Sequence, residues 1–115
     1  MIKIKRAYDE PKAGDGLRVL VDRLWPRGLT KDKAKIDLWT KEVSPTTGLR
    51  KWFGHEPDKW GEFKRRDFRE LKGRKEVVGL LAEAKRGTVT LVYGAKETKY
   101  NNAVALKEYL EKSAS

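Results

Sequence analysis

The uninterrupted apolar run Val19-Leu20-Val21 stops at Asp22 and gives way to Arg23-Leu24-Trp25-Pro26-Arg27-Gly28. Such a run fits a strand covered on both faces, as in the interior of a parallel sheet. Pro26 and Gly28 then force the chain out of the strand. A second strand signal, Thr88-Val89-Thr90-Leu91-Val92-Tyr93, is rich in β-branched and aromatic residues. Helical spacing fills the interval between the two, and a strand–helix–strand succession closes as a parallel pair. The expected fold is therefore α/β: a small, mostly parallel sheet of three to four strands with about four to five helices in a single domain.

The other segments fit that frame. Residues 1–6 alternate apolar and basic side chains and read as a strand, followed by a loop carrying Pro11, Gly14 and Gly16. Thr30 suits the cap of a short turn through Lys33. Residues 36–43 alternate weakly and read as an irregular or edge strand with Ile36, Leu38 and Val43 inward. Leu49, Trp52 and Phe53 have helical spacing before Gly54. Pro57 opens a helix whose Trp60, Phe63, Phe68 and Leu71 share a face until Gly73. Val77, Leu80, Leu81 and Ala84 mark a further helix ending at Gly87. The last helix is expected from Asn102 to Glu111 with Ala103, Leu106 and Leu110 inward, and residues 112–115 are expected to fray.

At 115 residues the chain suits one core, which would bury roughly 65% of the unfolded surface. Lys+Arg 27 against Asp+Glu 17 gives net charge +10, a field that draws anionic partners. No apolar run approaches the ~20 residues of a membrane span. The N-terminal residues lack the apolar core of a signal peptide, so a cytoplasmic location and no membrane partner are expected. Without cysteine there is no disulfide frame or thiol nucleophile. Depletion of Gln, Cys, Met and Asn beside 38% charged residues is the pattern of a thermophilic protein.

Three groups of residues carry candidate chemistry. Asp22, Arg23 and Arg27 stand at a strand end, where a carboxylate can orient an arginine that grips phosphate or carboxylate bidentately. Such a pair would also depress the acid's pKa. The alternative is an internal ion pair tying the loop to a helix, and Trp25 reads as a packing residue. His55, the only histidine, can trade a proton near neutrality or bridge a helix junction. No metal role follows, because a metal site wants several such ligands. Asn101 and Asn102 are the only Asn residues in a chain without Gln, and they open the last helix. Capping accounts for one of them, and the second points to a contact needing both donor and acceptor. Tyr93 and Lys96 lie near the same strand edge.

The densest basic patch is Lys64, Arg65, Arg66, Arg69, Lys72, Arg74 and Lys75. Arg65, Arg69 and Lys72 fall in one helical stripe, as phosphate-tracking residues would. Interleaved Glu62, Asp67 and Glu70 favour instead a self-paired face with Glu62–Arg66 and Glu70–Arg74 pairs.

These residues resemble, end to end, the family called domain of unknown function 488, in particular its short YeaO-like members. The resemblance rests on Arg6-Ala7-Tyr8-Asp9, on Gly16 through Gly28 with its Asp-Arg-x-Trp-Pro-Arg-Gly, and on Leu49 through His55 with its Trp-Phe-Gly-His. Trp60, Phe63, Gly87 through Tyr93, and Asn101-Asn102-Ala103-Val104 complete it. It implies an α/β fold and a single site holding Asp22, Arg23, Arg27, His55 and Asn102. Longer relatives carry a Cys-His-Arg run in place of Asn101-Asn102-Ala103, so neither a cysteine nor that second histidine is needed here. Arg66-Asp67-Phe68 departs from the pattern, in which an aromatic directly follows the basic pair.

Two functional readings follow. The first is a site for a small anion, a nucleotide or phosphometabolite, with His55 and Asp22 as the candidates for any catalysis and Arg23, Arg27, Tyr93, Asn101 and Asn102 as ligand contacts. The second is a nucleic-acid-binding module using Arg65, Arg69 and Lys72. No Walker loop, GxGxxG motif or paired carboxylates are present, and no cofactor is implied.

Overall fold

A computed structural model describes Met1–Ala114. Four strands, β1 (Ile2–Arg6), β2 (Leu17–Leu20), β3 (Leu38–Trp39) and β4 (Val89–Tyr93), form one sheet in the order β1-β4-β2-β3. Every pairing is parallel. Five helices complete the fold: α1 (Lys31–Ala34), α2 (Thr47–Phe53), α3 (Trp60–Leu71), α4 (Lys75–Arg86) and α5 (Asn102–Ala114). The α/β expectation holds. Among the described residues no helix is long and apolar enough to cross a membrane.

Alternation along the two interior strands distributes the core. Val19, Val21, Val89, Leu91 and Tyr93 pack with Leu71, Val77, Leu80, Ala103, Leu106 and Leu110 of the helices. On the opposite face Leu20 and Val92 join Ala7 beneath Trp25, Leu29, Ile36 and Trp39, and the Arg18 guanidinium donates to the Ala34 carbonyl of α1 on the same side. A third cluster of Leu49, Phe53, Phe63 and Ala105 ties α2 to α3 and α5.

Three expectations need correction. The segment 36–43 contributes only two strand residues, paired to Val19 and Leu20, and then turns into a 3-10 turn at Lys41–Val43. Leu38 is 44% exposed because it sits on an edge strand, while Val43 and Ile36 do pack inward. The helix expected from Pro57 begins with a 3-10 turn at Pro57–Lys59 before α3 proper. Of the tail expected to fray, Lys112–Ala114 lie in α5 and Ser115 lies outside the described residues.

Candidate functional site

A cleft of about 350 Å³ opens at the carboxyl ends of β1, β2 and β4. In open α/β sheets that edge is where ligands bind, since loops there are held by a rigid sheet. Tyr8 follows β1, the loop Asp22–Arg27 follows β2, and Gly94 and Ala95 follow β4. Ser44 and Pro45, Arg50 and Phe53 of α2, His55, Phe63 and Asn102 close the other walls.

The loop after β2 is built to be stiff. The Leu29 N–H donates to the Pro26 carbonyl at 3.4 Å around Arg27 and Gly28, and Gly28 has φ 81°. That is the positive φ a type II turn requires at its third residue, which only glycine adopts cheaply. Trp25 Nε1 donates to the Leu29 carbonyl at 2.7 Å, and Trp39 Nε1 donates to the Asp22 carbonyl at 2.7 Å. The two indoles meet edge to face at 5.5 Å. Trp25 is thus a packing residue, as its apolar bulk suggested.

Asp22 departs from expectation. Among the described residues no ion pair joins it to Arg23 or Arg27. Its Oδ2 accepts from the Gly94 backbone N–H at 2.8 Å and its Oδ1 from Asn102 Nδ2 at 3.1 Å. Burial raises its pKa above the ordinary carboxylate value. The Gly94 N–H, the Asn102 amide, and the charges of Arg50 and His55 only partly offset that burial. The expected depression fails because neutral donors, rather than a bound guanidinium, hold the carboxylate. Gly94 lets this bond sit close: a Cβ on it would lie 3.3 Å from Asp22 Oδ2, a tight contact that would push the carboxylate by a few tenths of an ångström.

The arginines are underused. Among the described residues the Arg23 guanidinium donates only to the Pro45 carbonyl, from Nη2 at 3.3 Å. The guanidiniums of Arg27 and Arg50 have no hydrogen-bond or ion-pair partner among the described residues, and both line the cleft. The Arg27 backbone carbonyl accepts from the Tyr8 hydroxyl at 2.8 Å, which anchors that residue's main chain. Arg50 was missed by sequence reasoning. Its place on the polar side of α2, one turn ahead of Gly54, is the only signal that could have found it.

His55 follows the left-handed Gly54 and is itself left-handed, with φ 58°. A non-glycine residue there stores strain, and such residues cluster at binding sites. Its Nδ1 lies 2.8 Å from the Tyr100 carbonyl. A carbonyl can only accept, so Nδ1 carries the proton and Nε2 is left for other partners. The ring also stands edge-on to Phe53 at 5.6 Å.

The two asparagines divide their roles. Asn101 is fully buried and caps α5: its Oδ1 accepts from the Val104 N–H at 3.0 Å, and its Nδ2 donates to the Glu97 carbonyl at 2.8 Å. Asn102 reaches the cleft. Its Nδ2 spans the Val21 carbonyl and Asp22, both at 3.1 Å, which leaves its Oδ1 without a hydrogen-bond partner among the described residues. Tyr93 is buried at 3% exposure, where burial raises its pKa, and it does not line the cleft; neither does Lys96. The structure therefore brings Asp22, Arg23, Arg27, His55 and Asn102 together and leaves Tyr93 and Asn101 behind the wall.

The basic helix is partly consumed by internal pairs. Arg65 and Arg66 both bind Glu62, at 2.6 and 2.9 Å, and Arg66 also stacks over Trp52 at 4.4 Å. Glu70 does not pair with Arg74 through its carboxylate. That carboxylate instead accepts from the Thr46 N–H and hydroxyl at 2.9 and 2.7 Å, and Arg74 donates to the Glu70 backbone carbonyl. Arg69 and Lys72 remain exposed on the stripe.

Comparison with known proteins accords with these motifs. The Uncharacterized protein YeaO of Escherichia coli (strain K12) is 42% identical over 110 residues, covering 95% of this chain and 96% of its own length. Uncharacterized protein Mb3100c of Mycobacterium bovis and Uncharacterized protein Rv3073c of Mycobacterium tuberculosis are each 34% identical over 109 residues, covering 95% of this chain and 92% of theirs. No solved structure matches the chain significantly. The family model described as "Inactive DUF488-N3 subclade" matches residues 1–115, and the chain belongs to that family.

Proposed function

We propose that the cleft binds a small anion, a nucleotide or phosphometabolite, and holds it without turning it over. One observation carries this reading: Arg27 and Arg50 line the cleft with guanidiniums that have no hydrogen-bond or ion-pair partner among the described residues, and Arg23 spends one bond on a carbonyl. Guanidiniums on rigid elements are pre-organised for bidentate capture of phosphate or carboxylate. The absence of turnover is supported by the family's description as inactive. The two hydroxyls lining the cleft support it as well, since Tyr8 donates to the Arg27 carbonyl and Ser44 to the Lys41 carbonyl at 2.6 Å. No nucleophile paired to a base results. In this reading Asp22 and His55 are ligand contacts.

Titration of the chain with inorganic pyrophosphate tests it. Arg27→Ala is expected to weaken binding by about tenfold or more, the worth of a charge-assisted hydrogen bond. Retention on a polynucleotide column is expected to stay as it was. Equal loss in both assays would replace the reading with a shared phosphate surface that includes the helix bearing Arg69 and Lys72.

A further inference from the structure

The cleft does not have the lining of a plain phosphate site. Its floor carries a carboxylate, Asp22, which a bare oxyanion would meet as a like charge. Each Asp22 oxygen accepts one hydrogen bond, from Gly94 and from Asn102. A carboxylate offers about four lone-pair positions, so two remain unfilled. Beside it stands a second acceptor. Asn102 Nδ2 is committed to Val21 and Asp22, and the Oδ1 of the same amide has no hydrogen-bond partner among the described residues. A carboxylate with lone pairs to spare and a carboxamide oxygen without a donor, beside guanidiniums that have no hydrogen-bond partner among the described residues, call for a ligand that is anionic at one end and donates hydrogen bonds at the other.

The chemistry that answers both halves is a phosphate ester of a polyhydroxyl compound. A carboxylate and a carboxamide oxygen side by side match vicinal hydroxyls, each of which donates one proton. Leu24, Trp25, Pro26, Pro45, Phe53 and Phe63 give the remaining wall an apolar surface, which suits the ring of a sugar or of an attached base. We infer that the ligand is a phosphorylated sugar, free or bearing a base, with its phosphate on Arg27 and Arg50 and its vicinal hydroxyls on Asp22 and Asn102. This rests on the anion-binding reading above and specifies its ligand class.

Calorimetric titration of the full chain with four probes separates the two claims. The probes are ribose 5-phosphate, adenosine 5′-monophosphate, its 2′,3′-dideoxy analogue, and inorganic pyrophosphate. Adenosine 5′-monophosphate is expected to bind at least about tenfold more tightly than its dideoxy analogue, because hydrogen bonds to a charged acceptor are lost with the hydroxyls. Asp22→Asn is expected to weaken ribose 5-phosphate and to tighten pyrophosphate, opposite shifts that misfolding cannot produce. Equal affinity for the ribose and dideoxy nucleotides overturns the sugar assignment and leaves anion binding standing. Failure of all four probes overturns both. Within the supported outcome, a nucleotide that binds like ribose 5-phosphate identifies a free sugar phosphate, and a much tighter one identifies a base on the apolar wall.

Discussion

Asp67 lies on the buried stripe Phe63, Asp67, Leu71 of α3, 1% exposed, with neither carboxylate oxygen hydrogen-bonded among the described residues. Burial, reinforced by the neighbouring Glu70, raises its pKa from 3.8 to about 7. Below 3.8 both folded and unfolded chains hold the proton, and the contribution to stability is most favourable. As pH rises from 3.8 to about 7 the folded chain alone keeps the proton, and stability falls by about 1.4 kcal/mol per pH unit. Asp15 has the opposite sign. Its pKa is held at about 2, because bonds from Lys12, Lys5 and Arg18 overcome burial, so it costs stability only as pH falls below 3.8. Urea denaturation of Asp67→Asn and the parent chain at about pH 4 and about pH 8 is expected to show the variant gaining on the parent as pH rises. A difference that does not change with pH would assign the titration elsewhere. Hydropathy periodicity could not reveal this residue, because an acid between Arg66 and Phe68 reads as part of a solvated face. The Asn pair was half legible: an amide beyond the one needed for capping pointed to Asn102, and nothing in sequence told which of the two would be the cap.

Among the elements, the segment from Asp22 to Leu29 depends on one backbone angle. Gly28 has open space around a would-be side chain, so any penalty for substitution comes from φ 81° alone. Gly28→Ala is expected to cost about 1 kcal/mol in denaturant unfolding, with Gly28→Asn milder, since Asn tolerates the left-handed region. Pyrophosphate affinity should fall in the same order, as the turn presents Arg27. Loss of binding without that ranking would point to the side chain at 28 rather than the turn. Pro26-Arg27-Gly28 announced a turn in the sequence because Pro and Gly each restrict or free the backbone locally. The segment 36–43 was legible as an edge strand but not in its extent, because alternation predicts a strand only where a neighbour offers a partner, and within this segment β2 pairs with just Leu38 and Trp39. The Thr46–Glu70 clamp between α2 and α3 was equally hidden, since i, i+4 spacing suggested Arg74 as the partner.

Across the whole molecule, net charge +10 reinforces the local pull of the cleft on anions. Raising ionic strength from about 0.01 M to about 0.15 M shortens the screening length from ~30 to ~8 Å. Pyrophosphate association is accordingly expected to slow in stopped-flow measurements, while the dissociation rate changes less. Salt-independent association would mean that only the cleft's own arginines act on the ligand. Composition disclosed this field, and the strand–helix–strand succession disclosed the parallel sheet. Strand order was not disclosed, because hydropathy does not say that β4 inserts between β1 and β2. That insertion bears on how the chain assembles as it leaves the ribosome. Until Val89–Tyr93 emerges, β1 has no strand to bond and β2 has only a two-residue one, so the sheet cannot be completed before its last strand is made. A nascent chain arrested at Gly87 would hold every arginine of the cleft and lack the strand that joins β1 to β2.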